Sequence, residues 1–118
     1  MKIFLACPVR GISDEYRDGI ETQVKFLESQ GNQVYYPPRD TNQSDPAGLQ
    51  ICSDNRKAIE EAEAVYVIWD GKSQGVLFDL GIAFALRKPV APIVGYMPQI
   101  TNGKSFQNMI FAWQELSF

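Results

Sequence analysis

Ala64-Val65-Tyr66-Val67-Ile68-Trp69, followed after a short turn by Ser73-Gln74-Gly75-Val76-Leu77-Phe78-Asp79-Leu80-Gly81-Ile82-Ala83-Phe84-Ala85-Leu86, is the stretch that decides the fold. The first six residues, rich in β-branched and aromatic side chains, read as a buried strand, and the second segment continues as a helix with hardly any polar face. A strand buried on both faces and leading directly into a helix is the signature of a parallel sheet. Within the helix stands one carboxylate, Asp79, whose burial would be costly unless something answers its charge.

Working outward, Lys2 to Cys7 reads as another buried strand. The turn Pro8-Val9-Arg10-Gly11-Ile12-Ser13 then leads into a helix from Asp14 to Gln30, with Ile20, Val24 and Leu27 as its inward stripe. Gln33 to Tyr36 is a strand that Pro37-Pro38 should stop. Arg39 to Gly48 reads as a long polar loop of the kind that covers a site. A helix from Leu49 to Glu63 precedes the Ala64 strand, Pro89 to Val94 forms a further strand, and Ser105 to Glu115 a last helix. Alternating strands and helices predict a three-layer α/β fold, flavodoxin-like (Rossmann-like), with a parallel sheet of four to five strands and right-handed crossovers. The 118 residues, 45% of them hydrophobic, suit a single domain spanning 1–118.

In such a sheet ligands bind beyond the carboxyl ends of the strands. Four segments should meet there: 8–13, 37–48, 70–75 and 95–103. A net charge of −3 argues against a surface for polymeric nucleic acid and leaves room for a local pocket for a small anion. The chain has no histidine, which excludes Ser-His-Asp and Cys-His catalysis and deprives a zinc site of its commonest nitrogen ligand. No metal or cofactor is expected, and carboxylates must carry any chemistry. Two cysteines, Cys7 and Cys52, are too few for a disulfide framework and fit a reducing, cytoplasmic setting. The apolar run from Ile3 to Cys7 is far shorter than a membrane span or a signal-peptide core, so no membrane association is expected.

A carboxylate in the first turns of a helix gains about 0.3–1 kcal/mol from the helix dipole, but a surface acid of that kind would normally have polar neighbours. Asp79 lies beside Ile82, Ala83 and Leu86, and the helix should be covered on nearly every side. A carboxylate so placed can attack a sugar anomeric carbon while a second acid protonates the leaving group, chemistry that needs no histidine. Asp54 and Asn55, read as opening their helix with Ser53 or Asp54 as its cap, are candidates for handling the leaving base or a sugar hydroxyl. Arg10-Gly11, at a helix start, suits phosphate oxygens, and Ser73 with Gly75 mirrors it at the next helix.

Ile3 through Gly11, Asp54 through Ala62, Ser73 through Gly81 and Lys88-Pro89-Val90, taken in order, resemble the nucleoside 2-deoxyribosyltransferase superfamily. The Arg-Gly turn and the Ser73-to-Gly81 segment are most similar to its 2′-deoxynucleoside 5′-phosphate N-hydrolase branch. The resemblance implies hydrolysis or transfer at the N-glycosidic bond of a nucleoside 5′-monophosphate or nucleoside. It implies Asp79 as catalytic nucleophile and Asp54 as the catalytic acid that contacts the sugar or base. Phe4, Cys7, Arg10, Gly11, Asn55, Ser73, Gly75 and Asn108 would then surround a small-molecule nucleotide or nucleoside. It also implies a homodimer, in which Asn108-Met109-Ile110 occupies the place of a residue that reaches the neighbouring subunit's site. Three positions differ from the family pattern: Asp79 stands where Glu is usual, its carboxylate roughly 1.5 Å further back; Phe4 stands where a tyrosine is common; and the spacing from Asp54 to Asp79 is one residue longer, which aligns Asn55 rather than Asp54. The shortened acid and Phe4 also suit a second reading, a nucleotide-binding module or sensor that keeps the pocket without turnover.

Overall fold

A computed structural model describes residues 1–117. Four parallel strands, β1 (Lys2–Ala6), β2 (Gln33–Tyr35), β3 (Ala64–Val67) and β4 (Val90–Pro92), form one sheet in the order β2-β1-β3-β4. Five helices connect or follow them: α1 (Asp14–Ser29), α2 (Pro37–Asp40), α3 (Leu49–Glu61), α4 (Gln74–Ala85) and α5 (Phe106–Ser117). The strand order is that of a doubly wound sheet at the lower end of the expected strand number. Phe4 pairs with Tyr35 on one side and Val65 on the other, so β1 runs through the middle of the register.

The period-two alternation of β1 divides the core. Phe4 and Ala6 face a cluster with Val65, Val67, Ile59, Val76, Leu80 and Ile110, beneath α3, α4 and α5. Ile3, Leu5 and Cys7 face the opposite cluster, where α1 sets down Ile20, Val24 and Leu27, the stripe its sequence spacing predicts. Burial of each such aliphatic side chain contributes about 1.5–3 kcal/mol, which makes the two-faced β1 the anchor of the domain.

Several boundaries differ from expectation for local reasons. Pro37-Pro38 ends β2 but also starts the one-turn helix α2, because proline at the first helical positions sacrifices no hydrogen bond. Neither Ser53 nor Asp54 caps α3, whose first residue is Leu49; Ser53 sits inside the helix, where its hydroxyl donates to the Leu49 carbonyl (2.9 Å). Its entry is held by Gly48 at φ +81° and by Asp45, whose carboxylate accepts from the Gln50 N–H (2.7 Å) and the Ala47 N–H (3.2 Å). The α4 helix is not covered all round: Phe78 and Phe84 are 56% and 63% exposed, and Leu86 at its C-cap is 40% exposed. Its inward stripe is Val76, Asp79, Leu80 and Ala83; Leu77 and Ile82 pack half-buried against the same core, and Phe78 and Phe84 face outward from the chain. Among the described residues no helix is long and apolar enough to cross a membrane.

Candidate active site

Beyond the carboxyl ends of β1 and β3 lies a cleft of about 600 Å³. Its walls come from the β1–α1 turn (Val9, Arg10, Gly11), the segment before α3 (Gln43 to Gly48), one face of α3 (Ile51, Cys52, Asn55) and the β3–α4 turn with the start of α4 (Asp70 to Gly75, Phe78, Asp79). The 95–103 segment, expected at this edge, does not line it. That loop is closed on itself by Asn108, whose Nδ2 donates to the carbonyls of Thr101 (2.6 Å) and Gly103 (2.8 Å) and whose Oδ1 accepts from the Thr101 N–H (3.0 Å).

Asp79 is the sixth residue of α4, past the first turn, and is only 9% exposed. The helix places it between Val76 and Ala83 on the face that meets the sheet, which sets the carboxylate at the floor of the cleft. Burial pushes its pKa up to about 7, against the opposing effect of a hydrogen bond from the Asn55 side chain. Asn55 is itself buried, and its Oδ1 accepts from Thr41 Oγ1 at 2.8 Å. Cys7 lies at the end of β1 beside Asp79. Burial first, and the Asp79 charge second, push its thiol up to about 12, so the sulfur stays protonated and serves as an apolar wall.

The turn before α4 is held by side-chain-to-backbone hydrogen bonds. Asp70 Oδ1 accepts from the backbone N–H groups of both Lys72 (2.9 Å) and Ser73 (2.8 Å), while Ser73 caps α4 by accepting from the Val76 N–H (3.4 Å). Trp69 Nε1 donates to the Ser73 carbonyl at 3.0 Å and braces the loop from below. Across the cleft, Gly11 takes φ +70°, a left-handed turn that glycine makes without strain, and Arg10 stands exposed beside it. Arg10 and Lys72 thus supply two cations at the rim, and the first N–H groups of α4 open beside them.

Seven of the ten site residues singled out in the sequence meet at this cleft: Asp79, Cys7, Arg10, Gly11, Asn55, Ser73 and Gly75. Three do not. Asp54 is half-buried on the neighbouring face of α3, where its carboxylate accepts from Gln50 Nε2 (2.8 Å), because α3 begins early enough to turn Asn55 rather than Asp54 inward. Phe4 is fully buried and stacks on Tyr35, with ring centroids 5.7 Å apart. Asn108, expected to reach a neighbouring subunit's site, bonds to Thr101 and Gly103 of its own loop. Conversely, Asp70, Lys72 and Thr41 belong to the site or its support without having been singled out. For Asn55 a signal existed: it shares its helical face with Ala58, Ile59 and Ala62, at the i+3, i+4, i+7 spacing of a buried stripe.

Comparison with known proteins bears on the ligand class. The sequence matches the family described as nucleoside 2-deoxyribosyltransferase over residues 3–110. No curated protein sequence matches the chain. Among solved structures, a 2-deoxyribosyltransferase from Bacillus psychrosaccharolyticus superposes with a TM-score of 0.75 at 19% identity, covering 99% of this chain and 90% of the other. A CMP N-glycosidase from Clostridium botulinum superposes with a TM-score of 0.59 at 22% identity, over 78% of this chain and 67% of that one. At such identities the two structures establish a shared fold, while the sequence match extends over nearly the whole chain. This chain belongs to the nucleoside 2-deoxyribosyltransferase family.

Proposed function

We propose that the protein cleaves the N-glycosidic bond of a nucleoside 5′-monophosphate, with Asp79 as nucleophile and water as the final acceptor. The observation that carries this reading is the juxtaposition of a buried carboxylate with a cationic rim in one cleft: Asp79 on the floor, Arg10, Lys72 and the start of α4 above. A 5′-phosphate held at the rim by Arg10, Lys72 and the Ser73–Gly75 backbone would direct the sugar inward. An Asp79 oxygen then bonds to the anomeric carbon as the bond to the base nitrogen breaks, and the base leaves with a proton from a second acid or from water. Water attacks the glycosyl ester, giving the free sugar phosphate and restoring the carboxylate. Asp70 fits the second acid better than Asp54 does. It lines the cleft and uses one oxygen for the turn, whereas no described residue donates to its other oxygen.

The test is base release from a panel of ribo- and deoxyribonucleotides and their nucleosides, followed by chromatography. Native protein should release base from at least one 5′-monophosphate, and Arg10→Ala should raise KM for that nucleotide by about tenfold, the loss of one charge-assisted phosphate contact, while leaving the nucleoside unaffected. Equal, background-level release by native protein and Asp79→Ala with every substrate would overturn the enzyme reading. Calorimetric nucleotide binding without turnover would instead identify a binding module.

The same reading includes a homodimer formed through α4. Gly75, Phe78, Gly81 and Ala85 follow one another at helical spacing along an exposed stripe free of charge, and the neighbouring Phe84 is 63% exposed while its ring meets Trp113 of α5 edge-on at 5.2 Å. Phe78 also lines the cleft, so a second copy seated on this stripe would complete the cleft wall. Sedimentation velocity should give a dimer for the native chain and a monomer for Phe84→Glu. A native monomer at tens of micromolar would remove the dimer from the proposal.

A further inference from the structure

We propose that Tyr35 and Thr41 are positioning residues for the cleft carboxylate: a one-way chain of hydrogen bonds from Tyr35 to Thr41 to Asn55 fixes the Asn55 amide with its NH2 group toward Asp79. The chain is short and well formed. Tyr35 Oη and Thr41 Oγ1 are 2.6 Å apart, and Thr41 Oγ1 donates to Asn55 Oδ1 at 2.8 Å. Its direction follows from proton counting. Thr41 has a single hydroxyl proton and gives it to Asn55, so at its other side it accepts, and the proton there belongs to Tyr35, for which the Thr41 oxygen at 2.6 Å is a much nearer acceptor than the Asp40 carbonyl at 3.3 Å. Asn55 Oδ1 is thereby occupied, and the Asp79 carboxylate can only accept when ionised. The group that bonds Asp79 is therefore Asn55 Nδ2.

Nothing in this arrangement is loose. Thr41 and Asn55 are each 6% exposed, and no buried side-chain nitrogen or oxygen among the described residues lacks a partner. Thr41 follows directly on α2, with its N–H donating to the Pro37 carbonyl at 3.0 Å. The turn is locked by Asp40, which accepts from the Tyr36 N–H (2.9 Å) and from Arg39 Nε (2.8 Å). Tyr35 is held by its stacking on Phe4 across the β1–β2 pair. The short helix after β2 and the phenylalanine of β1 therefore act at a distance on one carboxylate two elements away.

Other charged or titratable groups around the cleft come from every wall: Cys7 from β1, Arg10 from the β1–α1 turn, Asp45 from the segment before α3, Cys52 from α3, and Asp70 and Lys72 from the β3–α4 turn. Cys7 stays neutral, and Asp45 and Asp70 are tied to backbone N–H groups. The Asn55 amide is the neutral donor that favours the ionised form of Asp79, and a flipped amide would present its oxygen to the carboxylate and disfavour it.

The proposal rests on the reading of Asp79 as nucleophile for its effect on turnover, but its test does not need turnover. Titration of Asp79 by NMR of the chain labelled at the aspartate carboxyl carbon reads the arrangement directly. Thr41→Val keeps the shape at a backbone position (φ −108°, ψ 135°) that β-branched residues favour and removes the donor. It should raise the Asp79 midpoint by about half a pH unit or more, the size of one lost hydrogen bond. Thr41→Ser should restore it, and Tyr35→Phe should move it the same way by less. An unchanged midpoint in folded Thr41→Val overturns the proposal. Should that variant fail to fold, an unchanged midpoint in Tyr35→Phe does so. A midpoint that moves as expected in a protein that releases no base from any nucleotide leaves the positioning chain standing and removes the enzyme reading instead.

Discussion

Asp79→Asn is expected to lower base release by on the order of 10³-fold or more, the scale of losing a nucleophile from an otherwise intact site. The substitution is nearly isosteric, so the cleft, the cationic rim and the Asn55 contact stay in place, and KM should change little. What disappears is the oxygen nucleophile able to form the glycosyl ester. On the proposed mechanism the native protein carries a related signature. Burial holds Asp79 near a pKa of about 7, and only the ionised form attacks, so kcat/KM should rise about tenfold per pH unit below neutrality and level off above it. Measured from pH 5 to 9, a profile flat across 7 would show that another group limits the reaction. A variant that keeps more than a tenth of native turnover would mean that Asp79 is not the nucleophile.

The strand–turn–helix unit at the centre of the chain was legible because its two periods differ: β3 buries side chains on both faces, and α4 sets an acid among apolar residues where no solvent-facing role explains it. That contrast located Asp79, and the glycine and serine turns located Arg10, Gly11, Ser73 and Gly75. Composition cannot tell a residue covered by its own chain from one left for another molecule. This is why α4 read as covered on nearly every side while Phe78 and Phe84 stand in the open. Thr41 was hidden for a different reason. It is one polar residue in a polar segment, and its importance depends on α2, a helix of four residues whose two prolines look like a stop signal. Asp70 was passed over because an acid in a Gly- and Ser-containing turn is ordinary turn chemistry, which is also what it performs.

Choosing between Asp54 and Asn55 shows how chemistry and geometry can point apart. Asp54 is the more reactive side chain, yet one residue along a helix is a rotation of about 100°, enough to move a group from the buried face to its flank. The buried face of α3 already carries Ala58, Ile59 and Ala62, and Asn55 continues that row. An amide there has a use that an acid would lack. A second carboxylate against Asp79 would raise its pKa further still, whereas the amide donor opposes the effect of burial.

The same carboxylate should cost the fold, and Asp79→Asn should be more stable than the native protein above neutral pH. In the unfolded chain the group titrates near 3.8, and in the folded chain at about 7. Between these values the folded state holds a proton that the unfolded state has released, so native stability falls as pH rises through that window and then stays low. Below pH 4 both states are protonated, and neutral Asp79 resembles the asparagine, leaving little difference between the two proteins. Above pH 7 the difference reaches its full size, at most about 4 kcal/mol for a shift of about three units at 1.36 kcal/mol each. Against a typical domain stability of about 5–15 kcal/mol this is a large share. Urea unfolding of both proteins at pH 4, 6 and 8 should show the gap opening with pH, and a gap independent of pH would contradict the burial of an ionisable Asp79. An acid that destabilises the fold in the range where it is charged has no structural reason to be there. Substitution to asparagine would relieve that cost and remove the proposed nucleophile in the same step, the trade expected where stability has been given up for a reactive group.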